Sequence, residues 1–164
     1  MWTRETDADA TEMLLGRLKS HLRITANDLD DELGGKLLAA VEAAEHRIGR
    51  VILLSTFTDT IAFDSSINLQ RPLVSVESAE VDGSAIALAN CTIDTLAGTI
   101  TFPDGTEGSA ANVTYKAGMQ QIPADIIHAI MLFAASLFAN PMDTVENLPR
   151  ASARLLRPYR NYGL

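Results

Sequence analysis

Three histidines, one cysteine and two clusters of charge are the residues of this 164-residue chain whose types could do chemistry. His21, His46 and His128 fall in three separate stretches of helical pattern, without the close helical partner that a metal site uses. A lone helical histidine is more simply a packed or half-exposed side chain. Cys91 sits between Asn90 and Thr92 in a stretch with strand character, with no base beside it in sequence. It reads as a small buried side chain rather than a nucleophile, and a single cysteine excludes an internal disulfide. Asp28-x-Asp30-Asp31-Glu32-x-Gly34 has the acid density of a calcium loop. Its Gly stands one place late, however, and Ala39 occupies the twelfth position, where a bidentate Glu is needed. Acids at the start of a helix, complementing its dipole, explain the run better. Asn90-Cys91-Thr92 and Asn112-Val113-Thr114 fit the glycosylation acceptor, which has meaning only in a secreted chain. There is no Gly-rich phosphate loop with its Lys, no G-x-S-x-G elbow and no H-E-x-x-H. No catalytic residue, metal or cofactor is expected, and the chain is not read as an enzyme.

The second charge cluster is basic. Arg150, Arg154, Arg157 and Arg160 stand in the last fifteen residues with no acid among them, a local +4. The chain as a whole has 13 bases against 21 acids and a formal net charge of −8, so residues 1–149 hold −12. Such a body is a poor ligand for the phosphate backbone of duplex DNA, although Arg154, Arg157 and Arg160 with Tyr159 and Tyr162 could stack on a single strand. A basic segment on an acidic body suits docking on an acidic partner or a neighbouring copy. The simpler reading is that these arginines complement a helix C-terminus.

Around these residues the hydrophobic period changes twice. Leu14, Leu15, Leu18 and Leu22 predict a short helix from about Asp9 to His21. Leu29, Leu33, Leu37, Ala40, Val41, Ala44 and Ile48 then mark a second helix, with Asn27 as cap, Gly49 as stop, and Gly34-Gly35 as a kink or a close approach. Residues 51–118 alternate apolar and polar, as in Val51–Leu54, Thr56–Phe63, Val74–Val81, Cys91–Asp94, Thr99–Phe102 and Ala111–Lys116. Asp82-Gly83, Ala97-Gly98 and Asp104-Gly105 are turn signals, so four to six short antiparallel strands are expected. From Pro123 the pattern is helical again, and Ile126 to Phe138 is apolar on nearly every face. A helix of that kind must be buried all round, which suggests cover from a neighbouring subunit. A last helical turn or two precedes Pro158, leaving Tyr159–Leu164 as an expected extended tail.

The expected fold is therefore α+β: a bundle of about four helices with a small antiparallel β domain inserted between the second and third. The parts are an N-terminal helical region (1–50), the β region (51–118) and the C-terminal helices with the basic tail (119–164), the helical parts packing as one domain. At 47% hydrophobic and 21% charged residues the chain is too apolar for disorder. Its longest apolar run, about 14 residues, is too short to span a bilayer. The N-terminal residues lack the basic start and apolar run of a signal peptide, so no membrane contact is expected.

Several segments together carry a family resemblance. They are Leu18-Lys19-Ser20-His21-Leu22-Arg23-Ile24 before an acid-started helix, and Gly49-Arg50 ahead of a β stretch containing Arg71-Pro72-Leu73-Val74-Ser75-Val76-Glu77. Then come Val113-Thr114-Tyr115-Lys116-Ala117-Gly118, Ile122-Pro123-Ala124-Asp125-Ile126, and Leu155-Leu156-Arg157-Pro158-Tyr159-Arg160. In this order they resemble the head–tail connector (adaptor) family of long-tailed phages, prophages and gene transfer agents, over residues 12–160. The family often places an aromatic residue and an Arg after the apolar helix, whereas Phe138-Ala139-Asn140-Pro141 stands here without the Arg.

The resemblance implies a ring, usually twelvefold, beneath the portal at the capsid vertex, extending the DNA channel and receiving the stopper or tail. It implies a place in the virion, reached from the host cytoplasm during assembly. The implied partners are the portal protein, a stopper or tail-completion protein, copies of the chain itself, and packaged DNA that slides past an acidic wall without specific binding. Portal contact is expected at Arg154, Arg157, Tyr159, Arg160, Tyr162 and Leu164. Ile126, Ile130, Phe133 and Leu137 are expected in the core or at a subunit contact. Asp104, Gly105, Thr106 and Glu107 are expected at a tail-facing loop. The competing reading is a small-molecule-binding or regulatory module that uses the β region.

Overall fold

The computed structural model describes residues 1–140 and 149–161. Among them lie four helices, α1 (Ala8–Leu22), α2 (Asp30–Ile48), α3 (Ala124–Ala139) and α4 (Arg150–Leu156). Eight strands complete the fold: β1 (Trp2–Thr6), β2 (Ser55–Ala62), β3 (Ser66–Asn68), β4 (Leu73–Val81), β5 (Ser84–Ile86), β6 (Thr92–Asp94), β7 (Thr99–Thr101) and β8 (Ala110–Ala117). Seven strands stand between α2 and α3, so the fold is α+β with a β insertion between the second and third helices. No described helix is long and apolar enough to cross a membrane. The chain divides into a sheet unit (1–7 and 53–120) and a helical unit (8–52 and 121–164).

In the helical unit the leucine spacing determines which faces meet. Leu14 and Leu18 of α1 are buried, as are Leu33, Leu37, Ala40, Val41, Ala44 and Ile48 of α2. Each fully buried aliphatic side chain contributes about 1.5–3 kcal/mol of transfer free energy. Gly49 ends α2 in the left-handed region at φ 68°, its amide bonded to the Glu45 carbonyl at 2.8 Å. The Gly34-Gly35 pair marks no close approach, because a Cβ at either position would meet nothing within 4 Å. The helix runs through both. α3 packs on α1, α2 and α4, so the chain's own helices supply much of the cover expected from a neighbouring subunit.

The sheet unit holds two antiparallel sheets, one of five strands in the order β1-β2-β8-β4-β5 and one of three in the order β3-β7-β6. The count exceeds the four to six strands expected, because β1, β3 and β5 lie outside the alternating stretches, and β3 and β5 are only three residues long. β1 carries no strand pattern of its own, yet it pairs along its whole length with β2, from Trp2↔Asp59 to Thr6↔Ser55. Val51–Leu54, expected as a strand, is not one; the Ile52 amide donates to Glu45 Oε1 at 2.7 Å instead of to a ladder.

Along β2 and β8 the alternation sorts side chains cleanly. Ser55, Phe57 and Asp59 are buried with Ala111, Val113, Tyr115 and Ala117. Thr58 and Thr114 pair on the opposite face with their hydroxyls 3.3 Å apart. β4 shifts register twice against β8, at Leu73/Ser75 and Val76/Ser78, which is why its alternation fades in the sequence. Asp82 (φ 48°) and Gly83 (φ 80°) make the two-residue turn between β4 and β5, both left-handed as a type I′ hairpin requires.

Candidate functional site

The basic segment is built on α4. Ser152 and Leu156, four residues apart, are buried. Arg150, Arg154 and Arg157 recur at helical spacing on the opposite face and are exposed. Tyr159 is half-buried in a single 3-10 turn over Arg157–Tyr159, and Arg160 is exposed. The Asn161 amide donates to the Ile48 carbonyl at 2.7 Å. The extended tail expected from Tyr159 onward is thus corrected through Asn161. Pro158 does not stop the turn, since proline is tolerated early in a new helical turn. Tyr162 and Leu164 lie outside the described residues.

Of the four residues expected at the core or a subunit contact, Ile126, Ile130 and Phe133 are buried. Leu137 is half-buried, as are Ile127, Leu132 and Phe138.

The loop after β7 exposes Asp104, Gly105 and Glu107. Gly105 takes φ 83°, and Thr106 is held by the Pro103 carbonyl through both its amide (3.1 Å) and its hydroxyl (2.8 Å). The strand that follows is tied to the β4–β5 hairpin. The Asp82 carboxylate accepts from the amides of Ser109 and Ala110, each at 2.9 Å. Gly108 lies so close to Val81 that a Cβ would fall 2.2 Å from its Cγ1. Tertiary structure therefore gathers two turns, at residues 82–83 and 104–107, at one end of the sheet.

The remaining candidates are placed as follows. Two of the three histidines are brought together across α1 and α3: His21 and His128 stand edge to face with ring centroids 6.3 Å apart. No third donor joins them, and no group of three His, Cys, Asp or Glu among the described residues could hold a metal ion. The Cys91 thiol is pushed up by burial, away from the reactive thiolate. In the acidic run that opens α2, Asp30 pairs with Lys19 at 2.6 Å, and Asn27 accepts from the same ammonium instead of capping the helix, whose N-cap position is Leu29.

The sequence pattern did not reveal one polar cluster. The Tyr115 hydroxyl, fully buried, donates to Asp59 Oδ2 at 2.6 Å and accepts from the Gln70 amide at 3.2 Å. Burial, reinforced by Asp59, pushes that phenol well above its ordinary range. Tyr115 stacks on Phe57 with centroids 5.5 Å apart, Trp2 lies 6.0 Å from Phe57, and the Arg4 guanidinium sits 5.6 Å over the Phe57 ring. Strand alternation alone could have shown that Tyr115 and Asp59 face inward. Only the pairing of β2 with β8 makes them partners.

No family model matches the chain, and no curated protein matches it significantly. Solved structures do. A chain in the neck of the empty gene transfer agent particle, computed with C6 symmetry, superposes with a TM-score of 0.78 at 20% identity, covering 100% of this chain and 97% of that one. A chain in the neck of the native particle, computed with C12 symmetry, gives 0.77 at 19% over the same shares. A chain of the native gene transfer agent virion gives 0.77 at 20%. The chain thus shares its fold, over its whole length, with neck components of a virion-like particle, the kind of particle to which the sequence resemblance pointed.

Proposed function

We propose that this chain is a structural head-to-tail adaptor of a phage-like particle, forming a ring beneath the portal that extends the DNA channel and receives the stopper or tail. The observation that carries this reading is the end-to-end fold match to neck chains computed with C6 and C12 symmetry. Such symmetry needs a head-to-tail interface between copies, repeated until it closes. In this reading the arginine face of α4 docks on acidic portal surface, with Tyr159 and Arg160 continuing it, and the 104–107 loop faces the tail. Packaged DNA passes without being gripped, because phosphate neutralisation by Lys and Arg is what would hold it. The particle neck is then the working location, and assembly takes place in the host cytoplasm.

The test is to mix the chain with the portal protein of its own particle and to image the complex by electron microscopy. A closed ring of this chain on one face of the portal is expected. Absence of any ring on an intact portal would overturn the proposal.

A further inference from the structure

We infer that the arm of residues 84–97, which joins the two sheets, packs on the outer stripe of α3 in the next copy of the chain. The inference rests on the ring reading above and names the contact between neighbouring copies.

The arm is apolar although it lies at the surface. It comprises β5, a 3-10 turn (Leu88–Asn90), β6 and the start of the turn into β7. None of its fourteen residues is buried, yet nine are apolar. Leu96, at the tip, is 93% exposed. Asp94 is the only charged residue of the arm, and its Oδ1 is taken up by the amides of Leu96 and Ala97, each at 2.9 Å. An exposed segment so apolar and so poor in charge has the composition of an interface core rather than of a solvated loop.

The arm is also held in shape. The Asn90 amide donates to the Ala87 carbonyl at 2.9 Å, and the Gly98 amide to the Asp94 carbonyl at 2.8 Å. The Leu69 amide ties the far side of the turn to the Gly98 carbonyl at 2.8 Å. Gly98 takes φ 70° and lies so close to Arg71 that a Cβ would fall 2.4 Å from its Cγ. Leu96 is thus presented on a fixed turn, and covering it would cost little ordering entropy. β5 and β6 each end their sheet, and neither carries the Lys or Pro that commonly guards an exposed edge.

Absence of charge selects the occupant. A ring of identical copies joined head to tail needs two different, complementary patches on one chain. An uncharged patch is matched by another, because a charged group buried against it would be stranded without a partner. The helical unit offers one such surface. Alone among the described helices, α3 has no acid, Lys or Arg beyond its first turn. Leu132, Ala135 and Ala139 recur on one face of it at helical spacing. With α1, α2 and α4 packed on α3, Leu132 and Ala135 are still only half-buried and Ala139 is exposed.

Two substitutions at exposed positions test the two sides of the contact. Leu96→Asp charges the tip of the arm, and Ala139→Arg charges the end of α3, where a cation suits the helix dipole. Each should weaken ring assembly on the portal about tenfold without lowering the melting temperature. Cys91 is the sole cysteine, so a chain carrying Cys91→Ser, Leu96→Cys and Ala139→Cys has thiols only at the two sides. Rings of that chain treated with a flexible bismaleimide should give a ladder of covalent multimers, which chains with either thiol alone should not. Normal rings from a folded Leu96→Asp chain, or rings that yield no ladder, would overturn the inference and leave the adaptor reading standing. Normal rings of Leu96→Asp that fail only to join tails would assign the arm to the tail and overturn it equally. If the parent chain formed no rings, the adaptor reading would fall, and this inference with it.

Discussion

Tyr115 shows how much one side chain can fix. Its ring stacks on Phe57, and its hydroxyl accepts from the Gln70 amide and is the described partner of a carboxylate that has one oxygen already unmatched. Replacing it by Phe leaves both Asp59 oxygens unpaired at almost unchanged volume, so Tyr115→Phe should cost about 1–3 kcal/mol, measured by denaturant unfolding. The same residue sets an alkaline limit. Its pKa is raised in the folded state above the ordinary value of 10.0, so the unfolded chain releases the proton first as pH rises. The stability this group contributes is complete below pH 10.0 and is lost as pH climbs toward the folded value. The parent chain should therefore lose stability faster than Tyr115→Phe above that pH, and parallel alkaline slopes would contradict the assignment.

At the scale of elements, two glycine sites make opposite forecasts. Gly34 and Gly35 lie inside α2, where an added Cβ meets nothing within 4 Å. Gly34→Ala should therefore stabilise the chain by about 0.5–1 kcal/mol, by reducing the freedom of the unfolded backbone. Gly118 closes β8 at φ 137°, with the Leu54 Cα 2.6 Å from the place a Cβ would take. Backbone cannot swing aside as a side chain can, so Gly118→Ala should lower the melting temperature sharply while Gly34→Ala raises it. The loop after β7 yields a third forecast. Its anchor is the Asp82 carboxylate on the amides of Ser109 and Ala110, outside residues 104–107. Shortening the loop within 104–107 should leave the melting temperature within a few degrees of the parent and impair tail joining, counted as tailed particles. Full tailing by the shortened chain would remove the loop from the tail interface.

For the whole molecule the relevant quantity is where charge is exposed. Arg154 and Arg157 are exposed, while Leu156 between them is buried. Reversing both, as Arg154→Glu with Arg157→Glu, should spare the fold and weaken portal binding at least tenfold. Raising salt should weaken the parent chain toward the same level, since exposed pairs are screened over about 8–10 Å at physiological ionic strength. Calorimetric titration against the portal measures both effects. Equal affinity for parent and variant would place the portal contact elsewhere on the chain.

Local pattern was enough for the helices, for the turns and for the order of the parts. The leucine stripes of α1 and α2, the stop at Gly49, the hairpin at Asp82-Gly83 and the helical return after Pro123 each depend on neighbours a few residues away, and such signals survive in a single sequence. The amphipathic faces also told which side chains of α1 and α2 are buried, as at Leu14, Leu18, Leu33 and Leu37. What stayed hidden depends on residues far apart. β1 is a strand because β2 offers it an edge, at a sequence separation of about fifty residues. Tyr115 and Asp59 meet through a pairing that spans 56 residues, and Asn161 is held by Ile48 from the far side of the β insertion. Composition records the acids and bases but not their division between a sheet unit at −7 and a helical unit that holds most of the cations. That division belongs to tertiary structure, because a side chain's surroundings are set by long-range strand pairing and helix packing, and these leave no period in the chain.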